Sequence, residues 1–484
     1  MPHGLGWFHQ SVERARWSRR KLSPRTGARL TSLQNPQSQI FTFGYDALSR
    51  RTSLARTNGV TSTYGYDALS RLLSVLHRLG SSTLDGATYA VDAVGNRTSK
   101  RYQPSGPTTN YGYDSIYQLF NATQGSSTTE SYSYDSVGNR LSSLQASYTY
   151  NSSNEIASAS NASYAYDNNG NVLSKTDVTG TTSYTWDAEN RLTQVTLPGT
   201  GGSVTFQYDP FGRRIYKSSL NGTNIFAYDG ANIVEEVDAA GTLVARYTQG
   251  PGIDEPKAML RGANTSYYQQ DGLGTVTSLS GVSGSLAQTY VFDSFGQQTA
   301  SSGSLTNPFR YTGREFDPET GLYYYRARYY DPTIGRFISE DPAGFEGGFN
   351  FYRYVENDPI DSTDPTGLKT YECTAPLHAA PKLYNKVPLM YHEYLCVVGK
   401  DGKPVCVGQD REGSAFWSKG KPSDDNMSRG KCEQKEPDNQ CIEQCILAEG
   451  AKPRPRYGIG PQGTDCQEWA DDTLNKCQKQ CKKK

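Results

Sequence analysis

Long apolar runs are missing from this sequence, and cysteine is missing from most of it. No stretch of about 18 apolar residues occurs, so the sequence offers no candidate for a membrane-spanning helix. The 49 basic and 49 acidic residues cancel, which leaves no general basic field, and no nucleic-acid partner is predicted. All nine cysteines follow residue 372, which separates two regions of different chemistry.

The residues that are abundant favour β-structure. The chain has 35 tyrosines and 48 glycines but only 4 methionines. Tyr and Thr suit pleated surfaces, and Gly suits the turns between strands. This composition argues against helix bundles and large α/β enzymes, and 12% aromatic residues argue against disorder.

The first 40 residues are basic. Seven Lys and Arg residues lie between positions 14 and 29, and no apolar h-region follows them, so this is not a standard secretory signal. We interpret residues 1–40 as a solvated, disordered leader. Nucleic-acid binding by this stretch is the alternative.

A repeated phrase begins near residue 41 and recurs every 16 to 25 residues. An aromatic-x-aromatic-Asp sequence is followed by Gly-Asn-Arg, Glu-Asn-Arg or Ser-Arg, as in YGYDALSRL around Asp67 and YTWDAENRL around Asp187. The alternating aromatics predict a strand, and the polar residues after Asp predict a turn. Each unit is therefore a predicted β-hairpin that must pack on its neighbours, and its Tyr and Asp are predicted to serve packing and turns.

This phrase resembles that of the Rhs/YD-repeat family of bacterial Rhs proteins, Tc toxin C subunits and teneurins. YYQQDGLGTVTSL (267–279) is similar to a family strand motif, and residues 311–368 are similar to the Rhs-associated core. The resemblance implies a mainly β fold, with a spiral YD-repeat sheet over 41–310 and a core over 311–368. In the family such a sheet forms a hollow shell around a variable C-terminal polypeptide. About 330 residues of repeat are fewer than a full shell needs, so we expect a partial shell that lacks an N-terminal portion.

Two similar phrases mark the end of the repeat region. Asp341 begins DPAGF and Asp364 begins DPTGL, and the composition changes after Leu368. Two neighbouring carboxyl groups can divide the roles of base and acid in peptide hydrolysis. The family resemblance implies that Asp341 and Asp364 form such a pair, that Arg336 orients or charge-balances them, and that the Leu368–Lys369 bond is cut. The alternative is that both phrases form turns only.

Residues 369–484 are predicted to form a small Cys-rich α+β domain. We predict strands over 391–399 and 403–409 and helices over 439–450 and 465–484. Cys441/Cys445 and Cys477/Cys481 are i, i+4 pairs, so two antiparallel helices could be joined by two disulfides. Nine cysteines leave one unpaired, and the connectivity stays open.

Cys466 is our candidate for the unpaired thiol, since it lies at a predicted helix start, where the thiolate is favoured. His392 on a predicted strand would be its general base, and the order of the two residues resembles permuted papain-like hydrolases. A disulfide-stapled, non-catalytic domain and a zinc site are the alternatives, although the CxxxC spacing does not suit zinc. No cofactor or metal is predicted.

The sequence thus predicts an Rhs-type toxin fragment that carries a C-terminal effector, with an immunity protein and a secretion machinery as partners. Cysteines confined to the tail fit secretion or surface display by a non-Sec route. The rival interpretation is a surface-associated YD-repeat binding protein, with glycans as the candidate ligand and with a disulfide-stapled tail. A silent gene fragment is the third.

Overall fold

The computed structural model describes residues 29–344 and 348–368 in full. Beyond residue 368 it describes the backbone of six short strands and Lys476. The chain divides into two compact units, one of residues 1–340 and 350–367 and the other of residues 341–349 and 368–484. No helix in the described part of the chain is long and apolar enough to span a membrane.

The first unit is dominated by one sheet of 27 strands, which confirms the predicted mainly β repeat fold. The strands are β1 Ser32–Gln34, β2 Ile40–Tyr45, β3 Arg51–Arg56, β4 Val60–Tyr66, β5 Leu72–Leu79, β6 Ser82–Val91, β7 Arg97–Tyr102, β8 Thr108–Tyr113, β9 Leu119–Gln124, β10 Ser127–Tyr134, β11 Arg140–Ser143, β12 Ala146–Tyr150, β13 Ile156–Ala159, β14 Ala162–Tyr166, β15 Val172–Asp177, β16 Gly180–Trp186, β17 Leu192–Thr196, β18 Ser203–Tyr208, β19 Arg214–Ser219, β20 Gly222–Asp229, β21 Asn232–Val237, β22 Leu243–Gln249, β23 Pro256–Arg261, β24 Asn264–Gln270, β25 Val276–Ser280, β26 Leu286–Phe292 and β27 Gln298–Ser302. Each strand pairs antiparallel with the next along the chain, so the sheet is one continuous meander.

The aspartate of each repeat phrase organises a turn. Oδ1 of Asp187 accepts the backbone N–H groups of Glu189 and Arg191, both at 2.9 Å, and its Oδ2 accepts Nε of Arg191 at 2.8 Å. The same three bonds, with Arg, Asn or Gln as the partner four residues on, recur at Asp46, Asp67, Asp92, Asp114, Asp135, Asp167 and Asp209. The carboxylate therefore satisfies donors that the sheet ladder leaves open at each turn.

The tyrosine before that aspartate links one hairpin to the previous one. Tyr208 donates its hydroxyl to the carbonyl oxygen of Leu192 at 2.6 Å, sixteen residues back. Trp186 does the same with its indole N–H to Val172 at 2.8 Å. Equivalent bonds come from Tyr45, Tyr66, Tyr113, Tyr134, Tyr150 and Tyr228. The YD phrase is thus a packing and turn device in these repeats.

The first strands of the meander meet strands more than 150 residues away in the chain. Arg56 donates to the carbonyl oxygen of Tyr268 at 2.8 Å, and the Gly272 N–H donates to the hydroxyl of Tyr89 at 2.9 Å. Lys100 forms a buried ion pair with Asp271 at 2.8 Å. These side-chain contacts close the curled sheet without adding a strand pair.

The sheet begins before residue 41, within the segment 1–40 that the sequence predicts to be a disordered leader. Leu30 and Leu33 are buried in a cluster with Phe41 and Phe43, and β1 pairs with β2. Two leucines spaced by three residues are too weak a pattern to indicate a three-residue strand from sequence. Residues 1–28 lie outside the described part of the chain.

Residues 311–340 and 350–367, which we call the core segment, cover one edge of the sheet. The segment contains two single 3₁₀ turns, Tyr311–Gly313 and Val355–Asn357, and a four-stranded sheet of β28 Glu315–Asp317, β29 Leu322–Tyr325, β30 Arg328–Asp331 and β31 Arg336–Phe337. Its side chains donate to the carbonyl oxygens of turn glycines at Gly138, Gly170, Gly212 and Gly296. The edge that it covers is the one formed by the aspartate turns, which we call the Asp-turn rim.

The close approach of the core segment to the Asp-turn rim explains why position 170 is a glycine. Gly170 has φ +75°, and a Cβ there would lie 2.5 Å from the Tyr352 hydroxyl and from Cγ of Glu340. A side chain at this position would push the core segment off the rim.

The second unit is described mainly by its backbone. Its strands are β32 Glu372–Pro376, β33 Tyr391–Val398, β34 Pro404–Arg411, β35 Ser418–Pro422, β36 Lys431–Glu433 and β37 Arg456–Tyr457. β33 and β34 pair antiparallel, as predicted for 391–399 and 403–409. Lys476 is helical, and the rest of both predicted helices and the proposed disulfides lie outside the described residues.

Candidate functional site

The end of the core segment is held against the connection between β29 and β30. The backbone N–H of Ala327 donates to the carbonyl oxygen of Thr366 at 3.2 Å. Arg326, which has φ +62°, donates to the carbonyl oxygen of Pro365. These contacts fix the backbone of the DPTGL phrase two residues before Leu368.

Asp364 lies at the centre of this arrangement. Its side chain is buried, and Oδ2 lies 3.3 Å from a guanidinium nitrogen of Arg328. Its Oδ1 accepts the backbone N–H of Gly367 at 2.8 Å, which closes a turn. Gly367 has φ +71°, and a Cβ there would lie 2.7 Å from the Tyr325 carbonyl oxygen, so glycine is required. The turn and the charged site are therefore the same structure.

Arg328 is a site residue that the sequence analysis missed. Its guanidinium lies 3.6 Å from the ring centroid of Phe337 and donates to the carbonyl oxygen of Phe351 at 3.0 Å. It is 2% exposed. The signal for this role in the sequence is an arginine placed among aromatic residues of a predicted strand. An arginine buried in such a strand requires a counter-charge for its guanidinium, and Asp364 supplies it.

Arg336, the arginine that we predicted, lies elsewhere in the first unit. It donates to the carbonyl oxygen of Asn154 at 2.7 Å and lies over the rings of Tyr150 and Tyr352 at 4.8 and 5.0 Å. The ion pair with Asp364 comes from Arg328. Arg336 therefore joins the core segment to β12 and β13 rather than to Asp364.

Asp341 belongs to the second unit, whereas Asp364 belongs to the first. Asp341 is buried, and its Oδ1 accepts the backbone N–H of Ala343 at 2.9 Å. Its carbonyl oxygen accepts the N–H of Gly344 at 2.8 Å. The DPAGF phrase is thus a turn, as DPTGL is.

The other predicted site residues lie at or beyond the limit of the described residues. Leu368 is described and Lys369 is not. His392 lies on β33, for which only the backbone is described, and Cys466 lies outside the described residues. Within the described part of the chain, no group of three His, Cys, Asp or Glu residues is placed to hold a metal.

Asp358 and Asp361 form an acidic loop that precedes Asp364 in the core segment. Burial, reinforced by the charge of Asp361, raises the pKa of Asp358 to about 7. Asp361 accepts the backbone N–H of Arg97 at 2.8 Å, and Arg97 donates to the carbonyl oxygen of Ile360 at 2.6 Å. The loop therefore anchors the core segment to β7.

Comparison with known proteins assigns the fold. The family model "Teneurin YD-shell" matches residues 91–360, more than half of the chain. The chain belongs to this family. The YD shell resembles the Tc holotoxin pore of Photorhabdus luminescens, which contains TccC3, with a TM-score of 0.58 and 21% identity over 70% of this chain and 21% of that one.

Two of the curated relatives are much longer proteins than this chain. The tRNA nuclease WapA of Bacillus subtilis is 34% identical over 273 residues, which cover 53% of this chain and 12% of WapA. Toxin protein Tse5 of Pseudomonas aeruginosa is 41% identical over 106 residues, which cover 22% of this chain and 8% of Tse5. The chain thus spans only a small part of these relatives.

Proposed function

We propose that this YD shell is the carrier part of an Rhs-type toxin that cuts its own chain between Leu368 and Lys369. Cleavage would release residues 369–484 as an effector. The toxins among its relatives support this function class. The cleavage itself is inferred from the buried Asp364–Arg328 pair, which is the single observation that carries it.

Two further features favour Leu368 as the point of cleavage. The turn of residues 364–367, which immediately precedes Leu368, is fixed by the Asp364–Gly367 bond and by the contact of Thr366 with Ala327. The boundary between the two compact units also falls between Gly367 and Leu368. A peptide bond that follows a fixed turn is held in one orientation, which lowers the entropic cost of attack.

The proposed reaction is hydrolysis by two carboxyl groups. The ion pair with Arg328 suits Asp364 to act as the general base. Asp364 would take a proton from a water molecule while the oxygen of that water attacks the Leu368 carbonyl carbon. Asp341, as the general acid, would give a proton to the nitrogen of Lys369 as the C–N bond breaks. The products are a carboxylate on Leu368 and an amino group on Lys369. Arg336 stays a candidate only for holding the core segment in place.

The test is the intact mass of the purified full chain. We expect the wild type to appear as two fragments that break after Leu368, and Asp364→Asn, Asp341→Asn and Arg328→Gln to stay whole or to cut at least tenfold more slowly. Asp358→Asn is the control, because it removes a carboxyl group from the same segment outside the DPAGF and DPTGL phrases.

An uncut wild type with native circular dichroism would contradict self-cleavage. It would favour the alternative of a surface-associated repeat protein. Equal cutting by Asp364→Asn and the wild type would instead assign the break to a contaminating protease.

The released tail would act as the effector, with Cys466 as nucleophile and His392 as its base. Expression of residues 369–484 in bacteria is expected to arrest growth, and Cys466→Ala is expected to relieve the arrest. Unchanged toxicity of that variant would exclude the papain-like chemistry. Delivery outside the cell, an immunity protein and a partner that completes the shell belong to the same proposal.

A further inference from the structure

A cavity of about 490 Å³ lies inside the first unit, away from Asp364. Its wall combines the aromatic rings of Tyr111, Phe292 and Tyr311 with the carboxyl groups of Glu130 and Asp293. Cavities of this size that combine aromatic rings with a few polar groups are typical of small-ligand sites.

Asp293 departs from the pattern of its repeat. Its Oδ1 accepts the backbone N–H groups of Phe295 and Gln297, as the repeat requires. In eight other Asp turns the side chain four residues on donates to Oδ2 of the aspartate. Gln297 holds that position here, yet no hydrogen bond to Oδ2 of Asp293 is found among the described residues. An acceptor on the cavity wall is therefore open.

Two more acceptors accompany it. The backbone N–H of Ser294 donates to both oxygens of Glu130, at 3.2 and 3.1 Å, which places that carboxylate beside the Asp293 turn. The Tyr132 hydroxyl donates to Oε2 of Glu130 at 2.8 Å, and the carboxylate keeps further lone pairs for a ligand. Ser294 is 7% exposed and lines the cavity, and its Oγ has no hydrogen-bond partner among the described residues. A buried hydroxyl without a partner costs free energy unless a ligand satisfies it.

From this arrangement we infer that the cavity binds a primary ammonium group, held by Asp293, Ser294 and Glu130, with the rest of the ligand against the aromatic rings. An ammonium carries three N–H donors, which matches three acceptors on neighbouring residues. The aromatic faces add attraction for a cation. The ammonium could belong to a lysine side chain of a polypeptide or to a free small amine.

The electrostatics of the site are consistent with a cationic ligand. Burial, followed by the negative charge of Glu130, raises the pKa of Asp293 to about 7. The titratable groups that act on Asp293 include Glu130, Tyr132, Arg140, Tyr311, Tyr323 and Tyr330. Arg97, Lys100 and Asp271 also line the cavity, and the charge of Lys100 is paired with that of Asp271. Between pH 6 and pH 8 the tyrosines stay neutral and Arg140 stays charged, so the change of charge expected near pH 7 is that of Asp293.

The first measurement is calorimetric titration of the full chain with two probes. Nα-acetyl-L-lysine methylamide represents a side chain in a polypeptide, and 2-phenylethylamine represents a free amine. We expect at least one probe to bind, about tenfold more weakly at pH 6 than at pH 8. The reason is that protons compete with the ammonium group for the Asp293 carboxylate at the lower pH. The tighter probe identifies the source of the ammonium.

Variants decide whether this cavity is responsible. Asp293→Asn and Glu130→Gln should each weaken binding about tenfold or more, since each removes a charged hydrogen bond. Ser294→Ala should weaken it by a smaller factor and leave folding intact, because its Oγ has no protein partner. Asp238→Asn is the matched control, since Asp238 holds the same turn position and also lacks the bond at Oδ2.

Two results would overturn the inference. One is the absence of heat from both probes up to about 10 mM, a concentration well above the dissociation constant expected of a specific site. The other is binding of Mg²⁺ or Ca²⁺ that Asp293→Asn abolishes while the amines stay inert, which would make the cavity a metal site.

Discussion

His77 and Asp358 respond to acid in opposite directions. Burial lowers the pKa of His77 to about 4, and its ring nitrogens contact Ser62 Oγ at 2.7 Å and the Gln270 carbonyl oxygen at 3.1 Å. The unfolded chain binds this proton near pH 6.5, so folding loses stability as pH falls from about 6.5 to about 4. Asp358 has a raised pKa, so its contribution falls as pH rises from about 4 to about 7.

The variant Asp358→Asn removes a carboxyl group whose charged form is disfavoured by burial. The variant should raise the free energy of unfolding by about 1–3 kcal/mol at pH 8 and leave it unchanged near pH 4, where the wild-type carboxyl group is protonated. Urea unfolding across this pH range measures the difference. Asp177→Asn should act in the opposite direction, because hydrogen bonds from Thr179 lower the pKa of Asp177. A loss of stability in Asp358→Asn at pH 8 would refute the assignment.

His77→Gln should flatten the acid side of the stability profile. The wild type is expected to lose about 1–3 kcal/mol between pH 6.5 and pH 4.5 that the variant does not lose. Thermal unfolding midpoints of both proteins at these two pH values measure it. Parallel profiles would show that His77 is not the group responsible.

Which of these residues the sequence could reveal depends on the range of their contacts. Asp364 is found from a local phrase, because its turn partner Gly367 lies three residues away. Arg328 lies 36 residues from Asp364, and nothing in the spacing links them. Glu130 and Asp293 are 163 positions apart and meet only because the sheet curls. Sequence patterns report local chemistry, and these partners are set by the tertiary fold.

At the scale of the repeat, the tyrosine of the YD phrase can be tested alone. Tyr208→Phe removes the bond to the Leu192 carbonyl oxygen and a 3.0 Å contact with the Tyr329 hydroxyl. It should lower the free energy of unfolding by about 1–2 kcal/mol. Tyr216→Phe on β19 is the control, since the structure records no hydrogen bond to its hydroxyl among the described residues. Chemical denaturation of the two variants side by side distinguishes the bond from the ring.

Hairpins were the most predictable elements, since alternation and turn chemistry both act within about ten residues. The Asp turns of the repeat follow directly from this local chemistry. The phrase YVFDSFGQQ gives no hint that Asp293 lacks its fourth-residue partner, because Gln118 in the equivalent place does donate. The same residue type therefore makes the bond in one turn and not in another.

For the whole molecule, the junction between sheet and core segment rests on buried charge. Arg214 is 2% exposed and forms ion pairs with Glu315, at 3.0 Å, and with Asp317. Arg214→Leu leaves two buried carboxylates without this partner and should cost about 3–5 kcal/mol. Arg213→Leu, one residue earlier at a partly exposed pair with Asp209, should cost less than about 1 kcal/mol. Similar losses in both variants would show that the core segment does not depend on this pair.

The closure of the sheet was beyond the reach of sequence analysis. The resemblance implied a spiral, yet contacts such as Asn35 with Thr248, at 2.9 Å, join residues 213 positions apart. The repeats have similar sequences, so the sequence does not predict which repeats contact one another across the curled sheet. That choice depends on accumulated twist and on side chains specific to single repeats.

The position of the core segment in the chain orders events during synthesis. Every strand of the meander pairs with the one made just before it, so the sheet can form progressively as the ribosome delivers the chain. The segment that covers the Asp-turn rim is translated last in the first unit, immediately before residue 368. The rim can therefore be capped while residues 369–484 are still being translated.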